Sequence, residues 1–143
     1  MIIFPSHSPD ESRRRFWLLV KQDLGLLDAM LGIQYVDIIT DSRGRPLSKT
    51  YIGMAFKNYK NRGYWIQIKN GLCIADELET TLHECRHIYQ YKTKLLVGTR
   101  WKGEKISRHT PYNYEPWELD ARRYTLKKLV PFAEGAGYIV QWE

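Results

Sequence analysis

The sequence predicts an α+β domain: an N-terminal helix, a small, mostly antiparallel sheet of about three strands, then two more helices with a loop between them. Three observations carry this. Apolar residues recur at helical spacing before residue 32. A block of alternating, β-branched segments separated by turn residues follows, up to about residue 70. Two long helical stretches follow, the first with no Pro or Gly to interrupt it. Elements grouped this way, rather than alternating strand–helix–strand, point away from a parallel doubly wound sheet.

The first helix is expected to open at Ser8. Ser8-Pro9-Asp10-Glu11 has the form of a capping box with proline at the first helical position. Phe16, Leu19, Val20, Leu24, Leu27 and Leu31 then follow at near-helical spacing. Gly25 weakens the case for an unbroken helix, and Gly32 is a plausible stop. Tyr35 to Thr40 reads as a strand, and Asp41-Ser42-Arg43-Gly44-Arg45-Pro46 as a turn. Tyr51 to Lys57 alternates imperfectly, Asn58 to Gly63 is a polar loop, and Tyr64 to Lys69 alternates clearly up to the turn signal Asn70-Gly71. A three-stranded meander is the economical arrangement.

A second helix is expected from about Asp76 to Leu96, burying a stripe of Leu78, Leu82, Cys85 and Tyr89. Gly98 to Pro111 is a basic loop. A third helix opens near Pro116 and runs to about Ala133, and Tyr138 to Trp142 can form a last strand. The 143 residues suit one domain, 1–143, with no repeats, low-complexity tracts or linker.

At 43% hydrophobic and 13% aromatic, the composition supplies a real core and argues against disorder. The net charge of +6 permits contact with anionic partners, although a solvated Lys/Arg-rich surface is the commoner meaning of such a balance. Cys73 and Cys85 form neither a disulfide framework nor a CxxC pair, which fits a reducing, cytoplasmic setting. Met1-Ile2-Ile3-Phe4 is followed at once by Pro5 and then Arg13-Arg14-Arg15, unlike a secretion signal. No apolar run approaches the roughly 18 residues a membrane span needs.

The segment that carries chemistry is His83-Glu84-Cys85-Arg86-His87. Four residues of helix turn about 400°, so the two imidazoles lie about 40° apart on one face and both reach one metal ion. Glu84 lies beside them and can act as general base on the water such a metal polarises. Two surface histidines with ordinary hydrogen bonds are the plainer alternative. Cys85 points about 200° away from each histidine and belongs in the core.

A catalytic zinc takes three protein ligands and keeps one position for water. Glu118, Ala121, Thr125 and Leu129 form a stripe on the third helix, with the carboxylate at its entrance and a small residue one turn later. Ala121 allows close approach to the histidine helix, so Glu118 is the expected third ligand. Glu115, just before Pro116, is the reserve ligand, and Asp120 points away from Glu118.

With Glu118-Leu119-Asp120-Ala121-Arg122-Arg123-Tyr124, the motif resembles the gluzincin pattern, in which HExxH is followed by a Glu-x-x-Ala-x-x-aromatic helix. Small intracellular relatives of that pattern include ImmA/IrrE-like peptidases and compact zincins of phages and mobile elements. The resemblance implies zinc, a peptide or protein substrate bound alongside an edge strand, and Tyr64 to Lys69 as that strand. The expected activity is a zinc metallopeptidase: Glu84 deprotonates the attacking water and returns the proton to the leaving amine. Tyr112, Tyr114 and His109 are candidates for stabilising the oxyanion, since the loop before the third helix can reach the cleft. Trp65 and Trp117 read as core or rim, and Arg122 as a surface partner of Glu118.

Two other readings compete. Arg13 to Arg15 and Arg100 to His109 mix bases with an aromatic and can contact nucleic acid, a property compatible with proteolysis in SprT-like zincins. A non-catalytic interaction protein that keeps zinc, or only the fold, is the second.

Overall fold

The computed structural model describes residues 1–58 and 63–142. Most of the polar loop expected from Asn58 to Gly63 lies outside the described residues. The described residues form three helices and three small sheets, an α+β arrangement.

Helix α1 runs Pro9–Asp23. Its start falls where expected, with Pro9 in the first turn, but Ser8 makes no side-chain cap bond. The capping box does not form because Glu11, its intended partner, pairs with Arg14 and Arg15 instead. The helix ends well before Gly32. Gly25 adopts φ +66°, the N–H of Leu26 bonds to the carbonyl of Lys21, and Leu26 is buried. This is a glycine-terminated Schellman ending with its apolar contact. Gly32 lies in a strand, with the Trp65 ring packed on its Cα where a side chain would stand.

The first strand, β1 (Ile2–Pro5), pairs antiparallel with β8 (Tyr138–Gln141), so the expected last strand has a partner that the sequence reading left out. The main sheet contains β2 (Leu31–Val36), β3 (Gly53–Asn58) and β4 (Gly63–Lys69) in the order β2-β4-β3. It is not a meander: β4 pairs antiparallel with β3 but parallel with β2. The strand expected at Tyr35 to Thr40 is shifted back to begin at Leu31. The physical reason lies in β4. Ile66, Gln67 and Ile68 are all buried, so both faces of this strand are covered and it takes the central place. Gln67 offsets its burial by pairing with the backbone N–H and hydroxyl of Thr40. The strand expected to lie on the substrate side is therefore interior, and β3 is the edge.

Helix α2 spans Ile74–Lys92 and α3 spans Pro116–Gly135. Leu78, Leu82, Cys85 and Ile88 of α2 are fully buried and join Phe16, Val20, Ile66 and Ile68 in one core, with Tyr89 half-buried beside them. Ala121 is fully buried at the α2–α3 contact, as its size allows. Between these helices the basic segment is not a plain loop. It folds into a small antiparallel sheet of β5 (Leu96–Val97), β6 (Arg100–Trp101) and β7 (Glu104–Lys105), then a 3₁₀ turn at Tyr112–Tyr114. No helix among the described residues is long and apolar enough to cross a membrane.

Candidate metal centre

α2 carries His83, Glu84 and His87, and α3 brings Glu118 against them. Nε2 of His83 lies 2.9 Å from Oε2 of Glu118, and Nε2 of His87 lies 3.0 Å from Oε1 of the same carboxylate. The two Nε2 atoms are 3.2 Å apart. A tetrahedral ion with ligand bonds of about 2.0–2.1 Å spaces its ligand atoms about 3.3 Å apart. The two nitrogens and the two oxygens of the carboxylate that bridges them are therefore spaced close to what such an ion requires of its ligands, and two imidazoles with a carboxylate are a donor set for a divalent transition metal. Ligand atoms of His83, Glu84 and His87 all lie within 4.8 Å of one another, so Glu84 belongs to the same cluster.

The electrostatics are those of a tight cluster. Burial pushes the Glu118 carboxyl up, but hydrogen bonds from His83 and His87 and their charge outweigh it and hold Glu118 well below the usual carboxylate range. Burial opposes the charged form of His87, yet the Glu118 hydrogen bond and the charges of Glu84 and Glu118 raise its pKa to about 9. Glu84 is pushed up by burial and by Glu118, with the two histidines opposing.

The orientation of His87 is set from behind. Nδ1 of His87 lies 2.8 Å from Oε1 of Gln90, which is fully buried. The Gln90 amide nitrogen donates to the carbonyl of Trp117 at 2.9 Å and to Oδ2 of Asp120 at 2.8 Å. Both amide protons are thereby used, and Oε1 must accept from Nδ1–H. Neutral His87 then carries its lone pair on Nε2, facing the cluster. Asp120 also takes a two-point bond from Arg86 at 2.7 and 3.1 Å, tying α2 to α3. Asp120 thus points away from Glu118, as its helical offset requires, but reaches His87 through Gln90. The sequence signal for Gln90 was its place three residues after His87, one turn along the same face.

A cleft runs past the cluster. Tyr51, Gly53, Glu84 and Tyr112 line both of its recesses. A Cβ on Gly53 would stand 2.5 Å from Cγ2 of Thr80 and 3.1 Å from Cγ of Glu84, so only glycine lets β3 lie this close to α2. The N–H of Lys69 bonds to the carbonyl of Ile52 across β3 and β4. By the alternation of an antiparallel ladder, the backbone groups of Gly53 and Ala55 then face away from β4, towards the open edge.

Among the oxyanion candidates, only Tyr112 lines the cleft. Burial, then the charge of Glu118 and a hydrogen bond with it, push the Tyr112 hydroxyl pKa up. Tyr112 and Tyr114 are both largely exposed, at 64% and 69%, and what separates them is position: neither Tyr114 nor His109, whose N–H bonds to Ser107 Oγ, lines the cleft. Glu115 caps α3 and makes no bond to either histidine, although burial and the charge of Glu118 raise its pKa. Trp117 lines the cleft wall. Arg122 does not pair with Glu118; it donates to the carbonyl of Asn113 because Glu118 is turned inward to the histidines. No protein-family model, curated protein or solved structure matches the chain.

Proposed function

We propose that the chain is a zinc-dependent metallopeptidase of the zincin type, with His83, His87 and Glu118 as the zinc ligands and Glu84 as the general base. The observation that carries this reading is the set of three contacts, 2.9, 3.0 and 3.2 Å, joining two imidazole nitrogens and one carboxylate beside a buried glutamate. Bound there, zinc supplies Lewis acidity and brings the pKa of a water towards neutrality.

The chain's own groups do the rest. Glu84, with a carboxyl pKa raised by burial, takes the proton of the attacking water and passes it to the leaving amine. Tyr112 donates its hydroxyl to the oxygen on which charge develops. The outward backbone groups of Gly53 and Ala55 align an extended peptide as an added strand, with its carbonyl brought to Glu84. This last feature favours a peptide over a compact small molecule.

The test is elemental analysis of the purified protein beside peptide hydrolysis. One zinc per chain is expected, lost in His83→Ala and in Glu118→Ala. Glu84→Gln is expected to keep the zinc and the fold and to lose hydrolysis of a mixed peptide library by at least about a hundredfold. Unchanged turnover in Glu84→Gln, or a metal-free wild-type protein after zinc reconstitution, ends the reading.

A further inference from the structure

The cleft has unequal ends. On the His83 side a wider recess of about 460 Å³ opens onto Thr50, Ile52 and Thr80. On the His87 side is a recess of about 350 Å³, within the size range of ligand-binding clefts. Met54, Ala55, Tyr91, Leu96 and Trp117 wall it, and among the described residues its charged lining groups are Glu84, His87 and Glu118 of the cluster itself.

Leu96 of β5 and Gly98 of the turn that follows it also line this recess, so the small β5–β6–β7 sheet begins at its wall. Directly opposed residues of an antiparallel pair project to the same face. Leu96 is buried and opposes Trp101, so Trp101 follows it to the inner face. Arg100 opposes Val97 on one side and Lys105 on the other, and these three project outward, with Val97 56% exposed.

That arrangement runs against local stability. Arg100 directly opposite Lys105 places like charges together, which destabilises a hairpin. The two-residue turn holds Lys102 at φ 51° before Gly103 at φ 86°, where asparagine is the favoured first residue. Among the described residues, Arg100, Lys105 and Arg108 pair with no carboxylate, and Lys102 acts on Asp120 through its charge alone. The N-terminal basic cluster differs: Arg13 is held by Glu77, and Arg14 and Arg15 share Glu11. Its three arginines thus have two carboxylates between them inside the molecule. Arg100 and Lys105 have none, and their strands continue from the β5 residue that walls the recess.

We propose that the cleft selects a polypeptide segment with a large apolar side chain beside the cleaved bond and acidic residues beyond it. The apolar side chain enters the recess and the carboxylates lie on the Arg100–Lys105 face. Cleavage at that bond rests on the metallopeptidase reading; the binding preference does not. A polypeptide fits better than a nucleic acid on two counts. Trp101 is turned inward, so the cationic face offers no ring on which a base stacks. The recess leads to Glu84 and Glu118, which repel a phosphate chain but leave an apolar side chain indifferent.

The experiment measures fluorescence anisotropy with the Glu84→Gln protein, so that nothing is turned over. The probes are labelled twelve-residue peptides with a central Phe and an acidic tract on one side or the other, their Asn/Gln counterparts, a central Phe→Ser peptide, and single-stranded DNA of equal length. One acidic peptide is expected to bind at least about tenfold more tightly than its neutral counterpart, with the advantage falling as salt rises. Arg100→Gln/Lys105→Gln, at exposed positions, is expected to remove that advantage, and Phe→Ser to weaken binding independently of salt. Equal binding of acidic and neutral peptides, or tighter binding of the DNA, overturns the proposal. Cleavage by wild-type protein separates the two claims. Hydrolysis without sequence preference defeats this inference alone, whereas selective binding without any hydrolysis defeats the metallopeptidase reading alone.

Discussion

Gln90 accepts a proton from Nδ1 of His87 at 2.8 Å while its own amide protons go to Trp117 and Asp120. One buried side chain thereby decides which nitrogen of His87 is available to a metal. Gln90→Met keeps the volume but removes the acceptor. Zinc affinity, measured by competition with a chelator, is expected to fall about 10- to 100-fold. Far-UV circular dichroism should stay unchanged, and the loss of partners for Asp120 and Trp117 should lower stability by about 1–3 kcal/mol. Zinc affinity equal to that of wild type would show that the His87 tautomer is set elsewhere.

The same histidine makes stability depend on pH in opposite senses with and without metal. In the metal-free protein its pKa of about 9 lies above its ordinary value of 6.5. The stabilisation from its charged form is therefore complete below about pH 6.5 and is lost as pH rises through about 9. Metal needs the neutral imidazole, so zinc affinity rises over the same window. Thermal unfolding at pH 6, 7.5 and 9 is expected to show the Tm of chelator-treated protein falling while the increment added by zinc grows. His87→Asn should flatten the first trend. A metal-free Tm that does not change with pH in wild type contradicts the assignment.

Gly53 lets the edge strand lie against the histidine helix. In Gly53→Ala the new methyl meets Thr80 and Glu84, which is expected to cost about 1–3 kcal/mol and to displace the general base. Hydrolysis should fall with zinc retained. Thr80→Ser removes the nearer methyl and keeps the hydroxyl bond to the Asp76 carbonyl, so adding it should restore part of both losses. No recovery in the double variant would place the damage in the strand rather than at this contact.

Tyr112 and Tyr114 sit in the same 3₁₀ turn, but only Tyr112 lines the cleft. Tyr112→Phe is expected to lower kcat about a hundredfold with little change in KM, the pattern of a donor used only in the transition state. Tyr114→Phe should match wild type. Equal effects from the two variants would exclude a specific role for the Tyr112 hydroxyl.

The site was more legible than the sheet. The interval between His83 and His87 and the stripe from Glu118 to Ala121 are helical patterns, and a helix turns local spacing into direction. Glu118 could be chosen over Glu115 and Asp120 on that ground, and it alone meets the histidines. Pairing between strands is not local. Nothing within Tyr64 to Lys69 says that it lies between β2 and β3, or that Ile2–Pro5 finds Tyr138–Gln141 at the other end of the chain. The end of the first helix was misread because two glycines, Gly25 and Gly32, offered the same signal. What decided between them was burial of Leu26, a tertiary event. Gln90 was visible as a polar residue on the motif's face, but its role depends on three partners, two of them on another helix.

Arg86 lies with its guanidinium 4.4 Å from the ring of Tyr89 and 5.0 Å from that of Tyr124 while it grips Asp120. This clamp of side chains joins the two helices that carry the cluster, one layer behind it. The protein consequently resembles a socket finished before the plug arrives: stripping the metal should leave a folded chain that can be reloaded, unlike small zinc-dependent modules, which collapse when chelated.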